Sequence, residues 1–219
     1  MSNLTEDPSP LGDGRFEAYK WPVVLTVPFE HHQLPAERSF LDVFESRRSM
    51  RALQPAPLAV ILDALRLALV PRFWKTGDPL LRSRRPSLSA GALHPISILI
   101  FADDKTYRVN VEDSTLDELH VSEEASECFL HKCRQVLPSA DGAFLILVAD
   151  KARPNAAYDH PDSLIWRDAG ALLQTLALAA ESYELGFCPL GTLGGEVVSA
   201  LPSADQLMAV GVATIGLRA

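Results

Sequence analysis

The stretch from Ser163 to Leu185 constrains the fold more than any other part of the chain. Leu164, Ile165, Ala169, Leu172, Leu173, Leu176, Ala177, Leu178 and Ala180 recur at helical spacing and cover almost the whole circumference. A helix that is apolar nearly all round has to be buried on most sides, inside a core or between subunits. Arg167, Asp168, Gln174 and Glu181 interrupt the run and argue against a membrane span. Gly186 fits the position just past the helix C-terminus. With 219 residues, 47% of them apolar and 22% charged, the chain can supply the core such a helix needs.

Around this helix the other patterns mix helices and strands. Ser39 is a good N-cap for a short helix through Ser46, and Pro57 opens a second helix that Pro71 ends. Arg72 to Arg85 is polar and basic and reads as a loop. Ile96 to Phe101, bounded by Pro95 and Asp103-Asp104, is a strand, with Tyr107 to Val111 as its hairpin partner. Leu116 to Leu119 and Glu123 to Val136 read as helices. Phe144 to Val148 is a continuous apolar run, which predicts a central strand buried on both faces. Leu207 to Leu217 reads as the last strand. Without repeated strand-helix-strand units, this order predicts an α+β fold.

The formal charge is -8 and the pI about 5.2, an acidic balance that argues against a nucleic-acid binder. Cys128, Cys133 and Cys188 form no CxxC, which suggests neither a disulfide framework nor a zinc site. His131 lies between the first two, but a fourth ligand at suitable spacing is missing. Met1 to Gly14 reads as a loose polar tail rather than a secretory signal, so the expected setting is cytoplasmic, with no membrane partner. Residues 1–38 hold five prolines and little periodicity and are expected to wrap over the surface or reach toward a partner subunit.

Against the acidic background stands a basic knot, Ser46-Arg47-Arg48-Ser49-Met50-Arg51. Arginine offers a planar fork of donors that fits phosphate, and serine hydroxyls add short neutral hydrogen bonds. By itself the knot reads more simply as a solvated, charged helix end. Three further stretches bear on it. Pro86-Ser87-Leu88-Ser89-Ala90-Gly91-Ala92-Leu93-His94-Pro95 is rich in small residues that let backbone approach a flat ligand, or it is an ordinary proline-bounded loop. Gly186-Phe187-Cys188-Pro189-Leu190-Gly191-Thr192-Leu193-Gly194-Gly195 is a glycine-rich turn without the GxGxxG of a dinucleotide site. Arg218 closes the last strand, either as an exposed terminal residue or as a further phosphate contact.

Taken in order, these four features resemble the nitroreductase superfamily. Arg85 to Pro95 looks most like the loop of the SagB-type dehydrogenases, which oxidise azoline rings in modified peptides. The resemblance covers residues 39–219 as a nitroreductase-like FMN-binding domain and leaves 1–38 as an N-terminal extension. It implies a central, mostly antiparallel sheet flanked by helices in an intertwined homodimer, with FMN at the interface. Arg47, Arg48, Ser49 and Arg51 would grip the phosphate and ribityl end, and Arg218 would add a contact there. Pro86, Ser87, Ser89, Ala90 and Gly91 would line the isoalloxazine from the other subunit. Pro189, Leu190 and Gly191 would lie over the flavin, with the Gly191 N–H near N5. The implied chemistry is ping-pong hydride transfer through N5, with NADH or NADPH as donor and a small molecule or modified peptide as substrate. The alternatives are a SagB-type azoline dehydrogenase in a peptide-modifying cluster, or a flavin-inactive assembly subunit of such a complex.

The chain departs from both branches. The Lys-Tyr pair that azoline-oxidising members resemble one another in carrying is absent after the Pro-Ser loop; Ser163-Leu164-Ile165-Trp166 occupies that region. Tyr158, His160 and His94 are the available substitutes, and none is assigned as a catalytic base. Leu93-His94-Pro95-Ile96 stands where other nitroreductases have Gln-Pro-Trp, and Trp74 and Trp166 are candidates to cover the pocket.

Overall fold

The structure, a computed structural model, describes residues 6–12, 14–29, 34–102 and 105–219. Residues 1–5 and 13 of the expected tail, and Asp103-Asp104 at the expected strand end, lie outside the described residues. Ser9–Pro10 (β1) and Val23–Pro28 (β2) precede the first helix, Phe40–Ser46 (α1). Leu53–Gln54 (β3), Leu58–Leu69 (α2), Phe73–Trp74 (β4) and Ser83–Arg84 (β5) follow. A single 3-10 turn at Ala90–Ala92 leads to Ile96–Ala102 (β6), Lys105–Asn110 (β7), Thr115–Leu119 (β8) and Glu123–Val136 (α3). Then come Ala143–Asp150 (β9), Ala152–Ala157 (α4), Tyr158–Asp159 (β10) and Asp162–Ser182 (α5). Leu185–Leu190 (β11), Gly195–Ser199 (α6), a 3-10 turn at Ala204–Gln206 and Leu207–Arg218 (β12) complete the elements.

One large sheet organises them in the order β11-β12-β9-β6-β7-β8-β2, with β3 beside the end of β12, and every neighbouring pair is antiparallel. The expected α+β class, with a mostly antiparallel sheet flanked by helices, is what forms. β9 lies inside the sheet between β12 and β6, and its side chains alternate between two cores as pleating demands. Leu145, Leu147 and Ala149 point into the core under α2 and α5; Phe144, Ile146 and Val148 point into the core under α3 and α6. β6 does the same with Ile96, Ile98 and Ile100 on one face and Leu99 and Phe101 on the other. Each such fully buried Leu or Ile contributes about 1.5–3 kcal/mol, so β6 and β9 anchor the molecule.

Ser39 caps α1 as its type predicts, its Oγ accepting from the Asp42 N–H at 3.1 Å. The hairpin of β6 and β7, the helix over 123–136 and the strand opening at Leu207 also form as the patterns imply. Four expectations are corrected. Leu116 to Leu119 is not a helix but part of β8, hydrogen-bonded to β7 on one side and β2 on the other. So short a segment cannot close a helix of its own, whereas two waiting strand edges satisfy its backbone. Arg72 to Arg85 is not a plain loop, because β4 and β5 pair within it. The long helix ends at Ser182 rather than Leu185, with Glu184 taking the left-handed turn at φ 57°. Gly186 is therefore no cap: it and Phe187 to Leu190 belong to β11, so half of the expected turn is strand.

Within the stretch expected to wrap over the surface, Val23–Pro28 adds β2 along the edge of the large sheet. Along α5, Ile165, Ala169, Leu172 and Leu176 are buried, whereas Leu164, Leu173 and Leu178 are only half-buried. Among the described residues, no helix is long and apolar enough to cross a membrane.

Candidate functional site

The basic knot is drawn against β11 by the chain that follows α1. Arg47 ends the helix, its N–H donating to the Val43 carbonyl, and its extended ψ turns the backbone outward. Ser49 then bridges to Phe187 in parallel, and the Met50 N–H donates to the Phe187 carbonyl at 3.0 Å. Leu53 and Gln54 pair with Arg218 and Leu217. Gly186 makes this approach possible: a Cβ there would stand 2.2 Å from Leu53 Cδ2 and 3.1 Å from Met50 Cβ. Arg47 is half-buried, and Arg48, Ser49 and Arg51 are exposed. Among the described residues, no ion pair or hydrogen bond engages those three guanidinium groups.

Along β11 the predicted site residues fall in sequence. Arg218 lies at the Leu185 end, Ser49 beside Phe187, and Pro189, Leu190 and Gly191 at the far end, with Pro189 and Gly191 exposed. At the strand rise, Leu185 to Gly191 spans about 20 Å. Three segments remote in sequence thus make one continuous edge.

Arg218 has a partner that sequence reasoning missed. Its Nη2 stands 2.7 Å from Glu181 Oε2, on the last turn of α5. Ser46 Oγ donates to Glu181 Oε1 at 2.7 Å, and Arg38 Nη1 lies 3.3 Å from the same oxygen. Arg38 Nη2 also donates to Ser46 Oγ at 2.8 Å. Burial opposes ionisation of Glu181, yet these hydrogen bonds and the two guanidinium charges hold its carboxyl below the usual range. Its signal was visible as one of the few charges that interrupt an otherwise apolar helix. Arg38, an isolated basic residue ahead of α1, gave no such signal.

The Pro-Ser loop is organised by the other buried acid of α5. Ser89 Oγ donates to Asp168 Oδ2 at 2.6 Å, the Ala90 N–H donates to Oδ1 at 2.9 Å, and the His94 N–H donates to Ser89 Oγ at 2.8 Å. Burial raises the Asp168 pKa, and the bonds from Ser89 and Ala90 only partly offset it. Three residues here hold left-handed backbone: Gly91 at φ 57°, Ala92 at φ 57° and His94 at φ 46°. For Ala92 and His94 that conformation costs about 1–3 kcal/mol each and marks a loop held in place by its surroundings. Ser87 is buried, Pro86 and Gly91 are exposed, and Ser89 and Ala90 spend their donors on Asp168.

The candidate bases fare differently. His94 Nε2 lies 3.0 Å from the Ser83 carbonyl, which can only accept, so Nε2 carries the proton. Burial, reinforced by the Arg85 charge, pulls His94 down to about 4, so it is a neutral donor that ties the loop to β5. His160 is exposed and pairs with Glu6 at 2.7 Å. Tyr158 reaches the loop: a Cβ on Gly91 would come within 2.8 Å of its Oη. Trp166 packs on the core of α2 and α5, while Trp74 lies beneath the Arg85 guanidinium at 5.7 Å.

The two halves of the expected site are well apart in one chain. Asp168 and Glu181 are separated by about 20 Å along the helix axis. Across the sheet, the Pro-Ser loop feeds β6, which lies three strand spacings, or about 14 Å, from β11.

The profile of the Nitroreductase family matches residues 44–216. No curated protein matches in sequence. Among solved structures, a protein from Ralstonia eutropha JMP134 assigned as a nitroreductase superposes with a TM-score of 0.64 at 16% identity, covering 93% of this chain and 98% of that one. The E. coli microcin synthetase McbBCD complex with truncated pro-MccB17 bound gives a TM-score of 0.56 at 13% identity, covering 87% and 77%. An oxidoreductase containing FMN gives 0.53 at 16% identity, covering 88% and 83%.

Proposed function

The chain belongs to the nitroreductase family, and from that premise we propose an FMN-dependent oxidoreductase that works as a homodimer. One observation carries the reading: Arg218, the Arg47-Arg48-Ser49 segment and Gly191 lie in order along β11 over about 20 Å. That order suits a cofactor laid along the strand with its phosphate at the arginines and its ring at Pro189 to Gly191. The guanidiniums of Arg47, Arg48 and Arg51, which have no ion pair or hydrogen bond among the described residues, fit a phosphate, and the exposed Gly191 leaves backbone within reach of a flat ring. FMN, when bound, supplies hydride transfer at N5, with NADH or NADPH as the proposed donor in a ping-pong cycle. The chain's own residues would bind and orient it: Arg47, Arg48 and Ser49 at the phosphate, and the Gly191 N–H at the reacting edge of the ring.

The distance from β11 to the Pro-Ser loop supports a site completed by a second copy. Pro86, Ser87 and Gly91 of one chain would face the ring held by the other. Exposed apolar side chains on α1, Phe40 at 73%, Leu41 at 60% and Phe44 at 55%, offer area for that contact.

A second reading, oxidation of azoline rings in a peptide, is favoured by the placement of Tyr158 Oη at the Pro-Ser loop. Tyr158 would then hold and move the proton that the missing Lys-Tyr pair handles elsewhere. The likeness in fold to the microcin synthetase complex supports it.

The test is FMN titration of the wild type and of Arg47→Ala/Arg48→Ala. Charged hydrogen bonds contribute about 1.5–3 kcal/mol each, so the double variant should lose at least about a hundredfold in FMN affinity. Its circular dichroism should stay unchanged, because both side chains lie outside the core. Equal affinity in the two proteins would refute the phosphate grip, and colourless protein that takes up no FMN would leave the assembly-subunit reading in its place.

A further inference from the structure

The β4–β5 hairpin sets Phe73 opposite Arg84. Residues 72–85 carry Arg72, Lys75, Arg82, Arg84 and Arg85 against a single acid, Asp78, in a chain of formal charge -8. Asp78 is spent inside the hairpin, with Arg82 at 2.7 Å and Lys75 at 3.8 Å from its Oδ1. Arg84 is exposed and, among the described residues, its guanidinium has no hydrogen bond or ion pair. Arg85 is 6% exposed at its side chain and meets Glu112 only at 3.7 Å, beyond hydrogen-bond distance. Burial pulls Arg85 down to about 10, and the nearby Arg153 charge adds to the effect that Glu112 opposes. Such a cation lacks a full counter-anion.

Between this hairpin and the Pro-Ser loop lies a cavity of about 390 Å3. Phe73 and Leu88, 60% and 79% exposed, give it apolar walls, and Lys75, Arg82, Arg84 and Arg85 give it a cationic rim. Among the described residues, no carboxylate lines it. An aromatic anion covers such a surface: its ring displaces water from the apolar walls, and its charge meets guanidinium forks.

We propose that this cavity is a subsite for a reactant bearing a carboxylate or phosphate on an aromatic body. The assignment builds on the FMN reading, since Ser87 and Ser89 border both the cavity and the proposed flavin position. The shared chemistry admits two sources, an aromatic acid as electron acceptor or a phosphorylated nicotinamide dinucleotide as donor.

Calorimetric titration with 4-nitrobenzoate, its methyl ester, NADH and NADPH tests this, on FMN-loaded and flavin-free protein. Wild type should bind the acid at least about tenfold more tightly than the ester, or NADPH more tightly than NADH by a similar factor. In Lys75→Glu/Arg84→Glu that preference should vanish while ester affinity is kept. Loss confined to the acid identifies an acceptor subsite, and loss confined to NADPH a donor subsite. Equal binding of charged and uncharged ligands in wild type, or a preference unchanged in the double variant, overturns the assignment. So does a variant that alters only self-association in sedimentation, since the surface then belongs to a contact between copies. Protein that takes up no FMN yet still prefers the acid refutes the flavin reading while retaining the anion site.

Discussion

Arg218 Nη2 sits 2.7 Å from Oε2 of Glu181, so the guanidinium at the end of the last strand is held by a buried carboxylate at the end of the longest helix. Ser46, the residue just before the basic knot, donates to the other oxygen of the same carboxylate. Glu181 thereby fastens the end of α1 and the end of β12 to one point. Whatever anion the Arg47-Arg48 segment meets is met by a segment whose position Glu181 sets.

Glu181→Gln should therefore destabilise the fold by about 2–3 kcal/mol, because two guanidiniums and a hydroxyl lose their shared acceptor charge. Arg218→Ala should cost less, about 1 kcal/mol, since Arg38 and Ser46 still hold the other carboxylate oxygen, Oε1. Urea unfolding of the two variants checks the order. Equal losses would show that Glu181 acts through Arg218 alone.

Asp168 is the corresponding anchor of the Pro-Ser loop. Asp168→Ala removes both bonds to the loop, from Ser89 and Ala90, and should cost about 2 kcal/mol. Asp168→Asn keeps an acceptor for the Ala90 N–H and removes a charge that burial disfavours, so its stability should match or exceed wild type. Thermal melts at pH 7 separate the two. An Asn variant as unstable as the Ala variant would mean that the charge, not the shape, holds the loop.

His94 gives the fold a pH dependence of definite sign. Its folded pKa is about 4 against 6.5 when unperturbed, so between those values the unfolded chain binds the proton that the fold resists. The contribution is complete above about pH 6.5 and is lost as pH falls through 4, amounting to about 3 kcal/mol in total. Wild type should lose that much more stability than His94→Gln between pH 7 and pH 4, as read from urea midpoints. Parallel pH profiles would exclude His94 as the source.

Gly186→Ala should push the 49–54 segment away from β11, because the added Cβ meets Leu53 and Met50 below contact distance. Expected are a loss of about 1–3 kcal/mol in stability and weaker FMN binding, since the Arg47 to Arg51 backbone moves with Met50. Wild-type FMN affinity in a folded Gly186→Ala protein would show that the knot binds independently of β11.

Local pattern carried much of this fold. Alternation along β6 and β9, the N-cap at Ser39, the prolines around α2 and the helical periods of α3 and α5 each follow from a few neighbouring side chains. Where local signals were weak, partners elsewhere in the chain decided. The residues 116–119 became strand because β7 and β2 offered backbone bonds, and Gly186 became strand because β12 pairs it with Gly216, its missing side chain leaving room for Met50 and Leu53. The basic knot, the Pro-Ser loop, the glycine-rich turn and Arg218 were legible as types suited to phosphate and flat rings. Their arrangement was not legible, because it depends on an edge built from three remote segments, on a loop held across the sheet from it, and on two buried acids of α5. Residue chemistry is encoded locally and so could be read from the sequence alone. The pairing of Glu181 with Arg218, the grip of Asp168 on Ser89 and the separation of the two half-sites are long-range relations, which exist only once the sheet has brought distant segments together.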